Sequence, residues 1–403
     1  MNKDKKKLLL LGGLRYLLPV IEAAHSDGVE VITCDYLPDN IAHKYSDGFV
    51  NVSVMDKDAV LKVAEEIGID GIMSFAVDPG VVTASYVAEK LNLPFQGSYE
   101  SVRILQNKDK FRDFLTKHGF NVPVAKGYES MDEALDEKDM FNWPVIVKPV
   151  DSAGSKGVRR VDDPHMLREA IEEAQGESHN GRFIIEDFLE KEGNSSDTEC
   201  FSVYGRLVFC SFSDQRFDTK AANPYTPSAY SWPSTMPVAA QEELRNEIQR
   251  LITLLDLNTG IYNVETRFCK NGKAYIMELS PRGGGNRLAE MLRYASGTDL
   301  IRNTVRGSLG MEIEPLSDPQ YSGYLAEVIL HADKSGKFER LEISEPEKSY
   351  VIERDLWVKP GDNVEGFKGA NNAIGTLVLR FPTSEQLETS MATIDRWCKI
   401  NVR

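Results

Sequence analysis

The first hundred residues alternate short apolar runs with amphipathic stretches. KLLLLG (7–12) is an unbroken apolar run closed by Gly12 and Gly13, the pattern of a strand buried on both faces. Residues 14–27 keep a helical period up to Gly28. VEVITCDY predicts a second strand with Asp35 near its C-terminal end, and DGFVNV a short third. Residues 56–67 (DKDAVLKVAEEI) predict an amphipathic helix with Asp56 as N-cap. DGIMSF predicts a fourth strand, 79–91 a further helix, and LPFQG a fifth strand. Strand and helix in this alternation predict a doubly wound parallel-sheet α/β domain over 1–100, with its ligand at the strand C-termini.

The pattern then changes. Residues 101–125 and 163–175 read as helices, and WPVIVKPVD, VRRV, FIIEDFL, ECFSVYG and RLVFCSFSDQRF as strands, which predicts a mixed sheet. Residues 214–237 contain four prolines and fit no element, so they read as a long functional loop. A helix over 239–256 precedes two apolar strands joined by the turn Lys270-Asn271-Gly272-Lys273, and helices over 286–309 follow. The last part begins with the strand GYLAEVIL, passes through turn-rich segments to TLVLRF, and ends in a helix over 384–399.

Composition narrows the classes. Of 403 residues, 41% are hydrophobic and 27% charged, enough for a sizeable core in two to three domains. A net charge of −15 argues against general affinity for nucleic acid or an anionic membrane. The five cysteines have no CxxC spacing, which predicts reduced thiols in a cytoplasmic protein rather than zinc or a disulfide framework. The basic start MNKDKKK before LLLL imitates a signal peptide, but Gly12, Gly13 and Arg15 break the run, so it reads as a first strand.

The candidate chemistry is concentrated in NVETRFCKNGKAYIMELSPRGGGN (263–286). It places Glu265 and Glu278 on adjacent strands, with Arg282 four residues after Glu278. Two ionised carboxylates in one cleft need a cation between them. Magnesium suits because it takes one or two carboxylates and leaves positions for phosphate oxygens. Lys148 ends an apolar strand, where a lysine is costly without an anion. DSAGSKGV (151–158) follows at once, and its small residues allow backbone N–H groups to approach phosphate; it lacks the P-loop spacing.

In order, the pieces NK (Lys108), PVIVKP (Lys148), DSAGSKGV, IIEDFL with Glu199 beyond it, and NVET…IMELSPRGGG resemble the ATP-grasp superfamily of carboxylate–amine ligases. The chain is similar to its phosphoribosylglycinamide synthetase and carbamoyl-phosphate synthetase-like members. The resemblance implies a pre-ATP-grasp domain over 1–100, an ATP-grasp α+β domain over 101–320 with a lid at about 125–190, and a C-terminal α+β subdomain over 321–403. It implies ATP held by Lys108, Lys148, Ser152, Ser155, Lys156 and Gly157. Glu186, Asp187, Phe188 and Leu189 would line the adenine, and Glu199 the ribose. Mg²⁺, with Mn²⁺ as an alternative, would sit on Glu265 and Glu278. Lys148 and Arg282 would be catalytic, Arg282 stabilising an acyl phosphate. Arg287 and Arg216 are candidate substrate contacts. The implied partners are a small carboxylate and an amine, with no nucleic acid and no membrane, and the implied assembly is a homodimer. Ser280 stands where many members have Asn, which puts a third protein metal ligand in doubt, and no phosphoribosyl-binding stretch is evident.

Four readings compete: a purine-pathway ligase, a dipeptide or cell-surface-precursor ligase, a non-catalytic nucleotide sensor, and an NAD-dependent oxidoreductase. The last is suggested by LLLLGG followed by Asp35, but the GxGxxG spacing is missing.

Overall fold

The computed structural model describes residues 5–152 and 154–403. The start of the basic N-terminal run, residues 1–4, and Ala153 in the 151–158 loop lie outside the described residues.

Strands β1 (Lys7–Leu11), β2 (Glu30–Cys34), β3 (Gly48–Val50) and β4 (Gly71–Ser74) form an all-parallel sheet in the order β3-β2-β1-β4. Helices α1 (Leu18–Ser26), α2 (Lys57–Ile67) and α3 (Asp78–Leu91) connect or follow the strands. Leu8, Leu9, Leu10 and Leu11 are fully buried, so the two-faced apolar run is a central strand with cover on both sides. Asp56 caps α2 by accepting from Ala59 N at 3.0 Å. The strand expected at 93–97 is absent; the segment is extended coil leading into α4 (Tyr99–Gln106).

Residues 101–125 are not one helix. The chain turns extended at Asn107 (φ −116°, ψ 113°) between α4 and α5 (Lys108–Lys117). Next come β5 (Ala125–Tyr128), α6 (Met131–Asp136), β6 (Val145–Pro149), β7 (Arg159–Val161), α7 (Leu167–Glu177) and β8 (Phe183–Asp187). The four strands form an antiparallel sheet, β5-β8-β6-β7, with its own core around Val145, Phe183 and Ile171.

Strands β9 (Ser196–Val203) and β10 (Arg206–Cys210) begin a second antiparallel sheet. After β11 (Asp214–Phe217), β12 (Pro227–Trp232) and α8 (Val238–Leu254), strands β13 (Gly260–Phe268) and β14 (Ala274–Ser280) complete it in the order β10-β9-β13-β14. Every pairing in these two sheets is antiparallel, so the expected mixed sheet is corrected.

Helices α9 (Leu288–Ser296) and α10 (Leu300–Ser308) lead to β15 (Tyr324–Leu330), β16 (Gly336–Ile343), β17 (Val351–Leu356), β18 (Asn363–Val364) and β19 (Gly375–Phe381). The expected terminal helix is two short ones, α11 (Ser384–Met391) and α12 (Ile394–Trp397), before β20 (Cys398–Val402). The loop reading of 214–237 is overturned: β11 and β12 pair with each other and, through β15, build the sheet β11-β12-β15-β19-β17, which spans residue 320. Pro227 is tolerated as the first residue of β12. One apolar cluster joins Leu10, Phe201, Trp232, Leu292, Ile301 and Ile329, so the N-terminal sheet, the β9 sheet and the C-terminal sheet share a core. No helix among the described residues is long and apolar enough to cross a membrane.

Candidate active site

The β13–β14 hairpin places Glu265 directly opposite Glu278. Cross-strand partners share a face, with Cβ atoms about 5 Å apart. Both side chains look into a cleft, Glu265 with 33% and Glu278 with 35% of its surface exposed. Their nearest cations are loose: Arg267 lies 3.6 Å from Glu265 and Lys108 Nζ 3.9 Å from Glu278. Burial raises the pKa of Glu265; Arg267 opposes the rise and the charge of Glu278 adds to it. Two hard oxygen donors with uncompensated charge fit Mg²⁺. Among the described residues no cluster of three or more ligating side chains stands ready, so the remaining positions would be filled by phosphate oxygens or water.

Two lysines approach the same cleft. Lys108 opens α5, and its Nζ donates to Ser152 O at 2.9 Å. Lys148 Nζ is ion-paired with Glu186, whose other oxygen accepts from Arg112 Nε at 3.0 Å. Arg112 also donates to Met277 O at 2.9 Å, tying the pair to the hairpin. Burial pushes Lys148 down and Glu186 up. For Glu186, Arg112 and Lys148 outweigh burial and hold it at about 2. The Glu186 side chain is 3% exposed and engaged with two cations, which leaves the expected adenine contact to the backbone of 186–189. Asp187 accepts from the Asn142 backbone and side chain, both at 2.8 Å, and Arg160 lies over the Phe188 ring at 4.3 Å. Leu189 accepts at its carbonyl from Arg267 at 3.4 Å.

The loop after β6 takes a left-handed backbone at several positions. Gly154, Ser155 and Gly157 have φ of +71°, +58° and +63°. Gly157 is also packed, because a Cβ there would lie 3.0 Å from Glu177 and 3.1 Å from Pro149. Lys156 is exposed, and the Ser152 hydroxyl donates to Glu177 O. Ser155 touches the β11–β12 connection, donating to Tyr225 O at 3.0 Å and accepting at its carbonyl from Asn223 at 3.1 Å.

Arg282, 7% exposed, is held from the N-terminal domain. Its Nε and Nη2 reach Asp78 Oδ1 at 2.9 and 2.6 Å, and its Nη1 reaches Asn263 at 3.1 Å. Burial disfavours its charge, but Asp78 and Glu278 more than offset that and raise its pKa. Ser280 belongs to the same network: its hydroxyl donates to Asp78 at 3.0 Å and accepts from Gln106 at 2.6 Å. The glycine run after Arg282 serves close packing. A Cβ at Gly283 would lie 2.2 Å from the Phe75 ring, and one at Gly284 2.9 Å from Glu199. Gly283→Ala is therefore expected to cost about 1–3 kcal/mol through overpacking. A thermal melt checks it, with partial recovery in Gly283→Ala/Phe75→Leu.

Glu199 is fully buried and accepts from Gly284 N at 2.6 Å, so it braces the glycine run and is not open to a ribose; that expectation is corrected. Burial lifts its pKa to about 8, against help from Gly284 and Arg282. The folded protein thus retains a proton that the unfolded chain releases, and stability falls as pH rises from about 4.5 to about 8. Glu199→Gln keeps an acceptor for Gly284 and should flatten that decline by on the order of a few kcal/mol at the alkaline end. Urea unfolding across this range checks it.

The two substrate arginines are engaged elsewhere. Arg216 sits on β11, not in a loop, and donates to Glu388 at 2.7 Å. Arg287 adopts φ +57° and pairs with Glu290 at 3.2 Å and with Glu353, while donating to Thr376 at 2.8 Å. It is a buried ion-pair residue and not a free carboxylate clamp.

Three site residues escaped the sequence reading. Asp78 lies at the C-terminal end of the parallel sheet, where ligand-facing groups gather. Arg112 is four residues after Lys108 on one helix face. Asp197 is two residues before Glu199 and is the cross-strand partner of Glu265. Burial and then the charge of Glu265 push Asp197 to about 7, while Asn263 at 2.7 Å and Tyr230 at 3.0 Å donate to it. Asp35, the candidate ribose acid of the oxidoreductase reading, is capped by its own loop through Leu37 N at 3.0 Å and Asn40 at 3.1 Å.

Residues 141–290 match the family model of the ATP-grasp domain. The likeness to an ATP-grasp domain lies in that central stretch. The carbamoyl phosphate synthase large chain of Thermotoga sp. (strain RQ2) is 22% identical over 365 residues, 87% of this chain and 32% of that protein. The chain thus spans about a third of the length of the first curated relatives it matches. Among solved structures, L-amino acid ligase from Bacillus licheniformis superposes with a TM-score of 0.82 at 21% identity, covering 100% of both chains. Phosphoribosylglycinamide synthetase from Anaerococcus prevotii gives 0.74 at 20% identity, covering 99% of this chain and 100% of that one. The fold of these two enzymes therefore extends over the whole chain, including the parallel N-terminal sheet and the C-terminal sheet.

Proposed function

We propose that this chain is an ATP-dependent ligase that activates a small carboxylate as an acyl phosphate and joins it to an amine, with Mg-ATP bound between the β5-β8-β6-β7 and β10-β9-β13-β14 sheets. The observation that carries the reading is the opposed pair Glu265 and Glu278 in one cleft with Lys108, Lys148 and Arg282. Bound Mg²⁺ would supply charge neutralisation at the transferring phosphoryl group. Lys108, Lys148 and the 151–158 backbone would orient the phosphates. A substrate carboxylate oxygen attacks the γ-phosphorus and ADP leaves. The amine nitrogen then attacks the acyl carbon, loses a proton, and phosphate departs. Arg282, fixed by Asp78 and Asn263, would stabilise the oxyanion of that second step. No nucleophilic side chain is required.

The organisation that goes with this reading is a pre-ATP-grasp domain over 1–100, an ATP-grasp domain over 101–320 and a C-terminal subdomain over 321–403. The Ser155–Tyr225 contact would let the glycine loop and the β11–β12 connection close together over the phosphates, excluding water from the acyl phosphate. The likeness to both an amino acid ligase and a phosphoribosylglycinamide synthetase supports small-molecule substrates. The test is ADP and phosphate release with Mg-ATP against paired carboxylates and amines. The panel includes amino acid pairs, and phosphoribosylamine with glycine. Absence of release with every pair, despite nucleotide binding, would favour a sensor over an enzyme.

A further inference from the structure

We propose that Cys200 and Cys210 form a redox modification site, which hydrogen peroxide closes into a reversible cross-strand disulfide that displaces the glycine run beside Arg282. Formation of the bridge is independent of the ligase reading above; its effect on turnover rests on that reading.

All five cysteines are free, and Cys200 Sγ donates to Cys210 Sγ at 3.5 Å. The two are direct partners across the antiparallel pair β9–β10. The ladder bond from Ser211 N to Glu199 O, at 3.4 Å, makes the adjacent pair the hydrogen-bonded one, so Cys200 and Cys210 occupy a non-hydrogen-bonded position. Cys210 N agrees: it turns away from β9 and donates to Asp318 at 3.3 Å. At such a position Cα atoms lie about 4.5 Å apart and side chains approach most closely. A disulfide spans about 4.4–6.8 Å between Cα atoms, so a bridge fits here at the short end of its range, where it is strained and reducible.

Buried cysteines ordinarily pack as small hydrophobes. What sets this pair apart, beyond its register, is its place at a sheet edge. Both sulfurs face the core under α8, but β10 is the edge strand, Cys210 is its last residue, and the register slips between Leu207 and Phe209. On its open side the end of β10 is held by Asp318, which pairs with Arg245 at 2.6 Å near the surface. Fraying of that end parts an ion pair of small net worth and admits an uncharged, water-sized oxidant.

The hydrogen bond to Cys210 and burial hold the Cys200 thiol well above the usual thiol range. Cys210, which receives that hydrogen bond, is therefore the first nucleophile. Its thiolate attacks one peroxide oxygen and the O–O bond breaks. The departing hydroxide takes up the proton that the thiol released, leaving a sulfenic acid and one water. The Cys200 sulfur then attacks the Cys210 sulfur, the S–O bond breaks, and hydroxide leaves with the Cys200 proton as a second water.

The bridge would lie one residue from the site. Glu199 points to the opposite face of β9 and accepts from Gly284 N at 2.6 Å, while Ser211 donates through N and Oγ to Glu199 O. Closing the sulfurs from 3.5 Å to about 2.0 Å draws β9 and β10 together at this point. The contact with the glycine run has no slack, since a Cβ at Gly284 would lie 2.9 Å from Glu199. The displacement passes to Gly284 and to Arg282, two residues before it.

The experiment treats the full chain with hydrogen peroxide, alkylates the remaining thiols with N-ethylmaleimide, and digests the denatured protein with trypsin. Cleavage after Arg206 and Arg216 separates the two cysteines, so a bridge joins peptides 192–206 and 207–216. The expected result is that joined pair, released by dithiothreitol and formed faster at about pH 9 than at about pH 7. ADP release should fall by at least about tenfold with the bridge, recover with dithiothreitol, and resist peroxide in Cys210→Ala. A thermal melt checks that Cys210→Ala folds, and Cys200→Ala replaces it if it does not. Alkylated or over-oxidised Cys210 without joined peptides, a bridge that leaves ADP release unchanged, or equal peroxide sensitivity in Cys210→Ala would overturn the proposal. Turnover without any bridge sinks the redox site alone. A bridge in a protein that releases no ADP with any pair sinks the ligase reading alone, and affinity for a non-hydrolysable Mg-ATP analogue then reads the displacement.

Discussion

Glu278→Gln should reduce ADP release by at least about 10²-fold while leaving the fold intact, since loss of one preorganised electrostatic group costs that much in comparable sites. The amide keeps the shape and removes the charge, so cleft packing is preserved. Glu278 is a third exposed, and its closest cation is 3.9 Å away, so little stability rests on it. What would rest on it is the cation: with one carboxylate left, bound Mg²⁺ would lose half of the protein's charge contribution and the phosphates their common anchor. The loss should appear as a raised magnesium requirement as well as a lowered rate. The check is coupled-assay ADP release as a function of magnesium, beside Lys273→Ala on the hairpin turn as a control. Near-wild-type turnover in Glu278→Gln at limiting magnesium would remove the metal role.

Why this pair was legible in the chain, and other parts of the site were not, follows from sequence distance. Glu265 and Glu278 lie on strands joined by a five-residue connection, and period-two alternation with a short turn nearly dictates their register. Lys148 was legible because a charge at the end of a buried strand is itself anomalous. Asp78 carries no such mark. It meets Arg282 across 204 positions, brought there by the packing of the Phe75–Ala76 segment before α3 against Gly283. Glu199 misled because alternation places it on a strand without saying how deep the strand lies; the close approach of Gly284 seals it. The same blindness to depth affected Arg216 and Arg287, whose carboxylate partners come from α11 and β17. Prolines concealed β12, although Tyr230 and Trp232 in its body, SAYSW, are residues that favour strands.

Glu186→Ala is expected to destabilise the fold by about 3–5 kcal/mol, because it strands Arg112 and Lys148 as buried cations without a counter-charge. The wild-type pH profile has a matching signature. The folded pKa of Glu186 is about 2 against an ordinary 4.5, so the stability from its ionisation is fully present above about pH 4.5 and is lost as pH falls toward 2. Glu186→Gln should lose that acid-side dependence. Stability and function can then be separated, because replacing a whole buried ion group with apolar residues of similar volume is often neutral for folding. Lys148→Met/Glu186→Leu/Arg112→Met should recover most of the melting temperature lost in Glu186→Ala. It should nonetheless fail to bind Mg-ATP, since Lys148 would supply the cation for the phosphates and Glu186 with Arg112 positions it. Nucleotide affinity is the deciding readout: a stable triple variant that still binds Mg-ATP at wild-type strength would make the triad structural and move phosphate recognition to Lys108 and the 151–158 backbone.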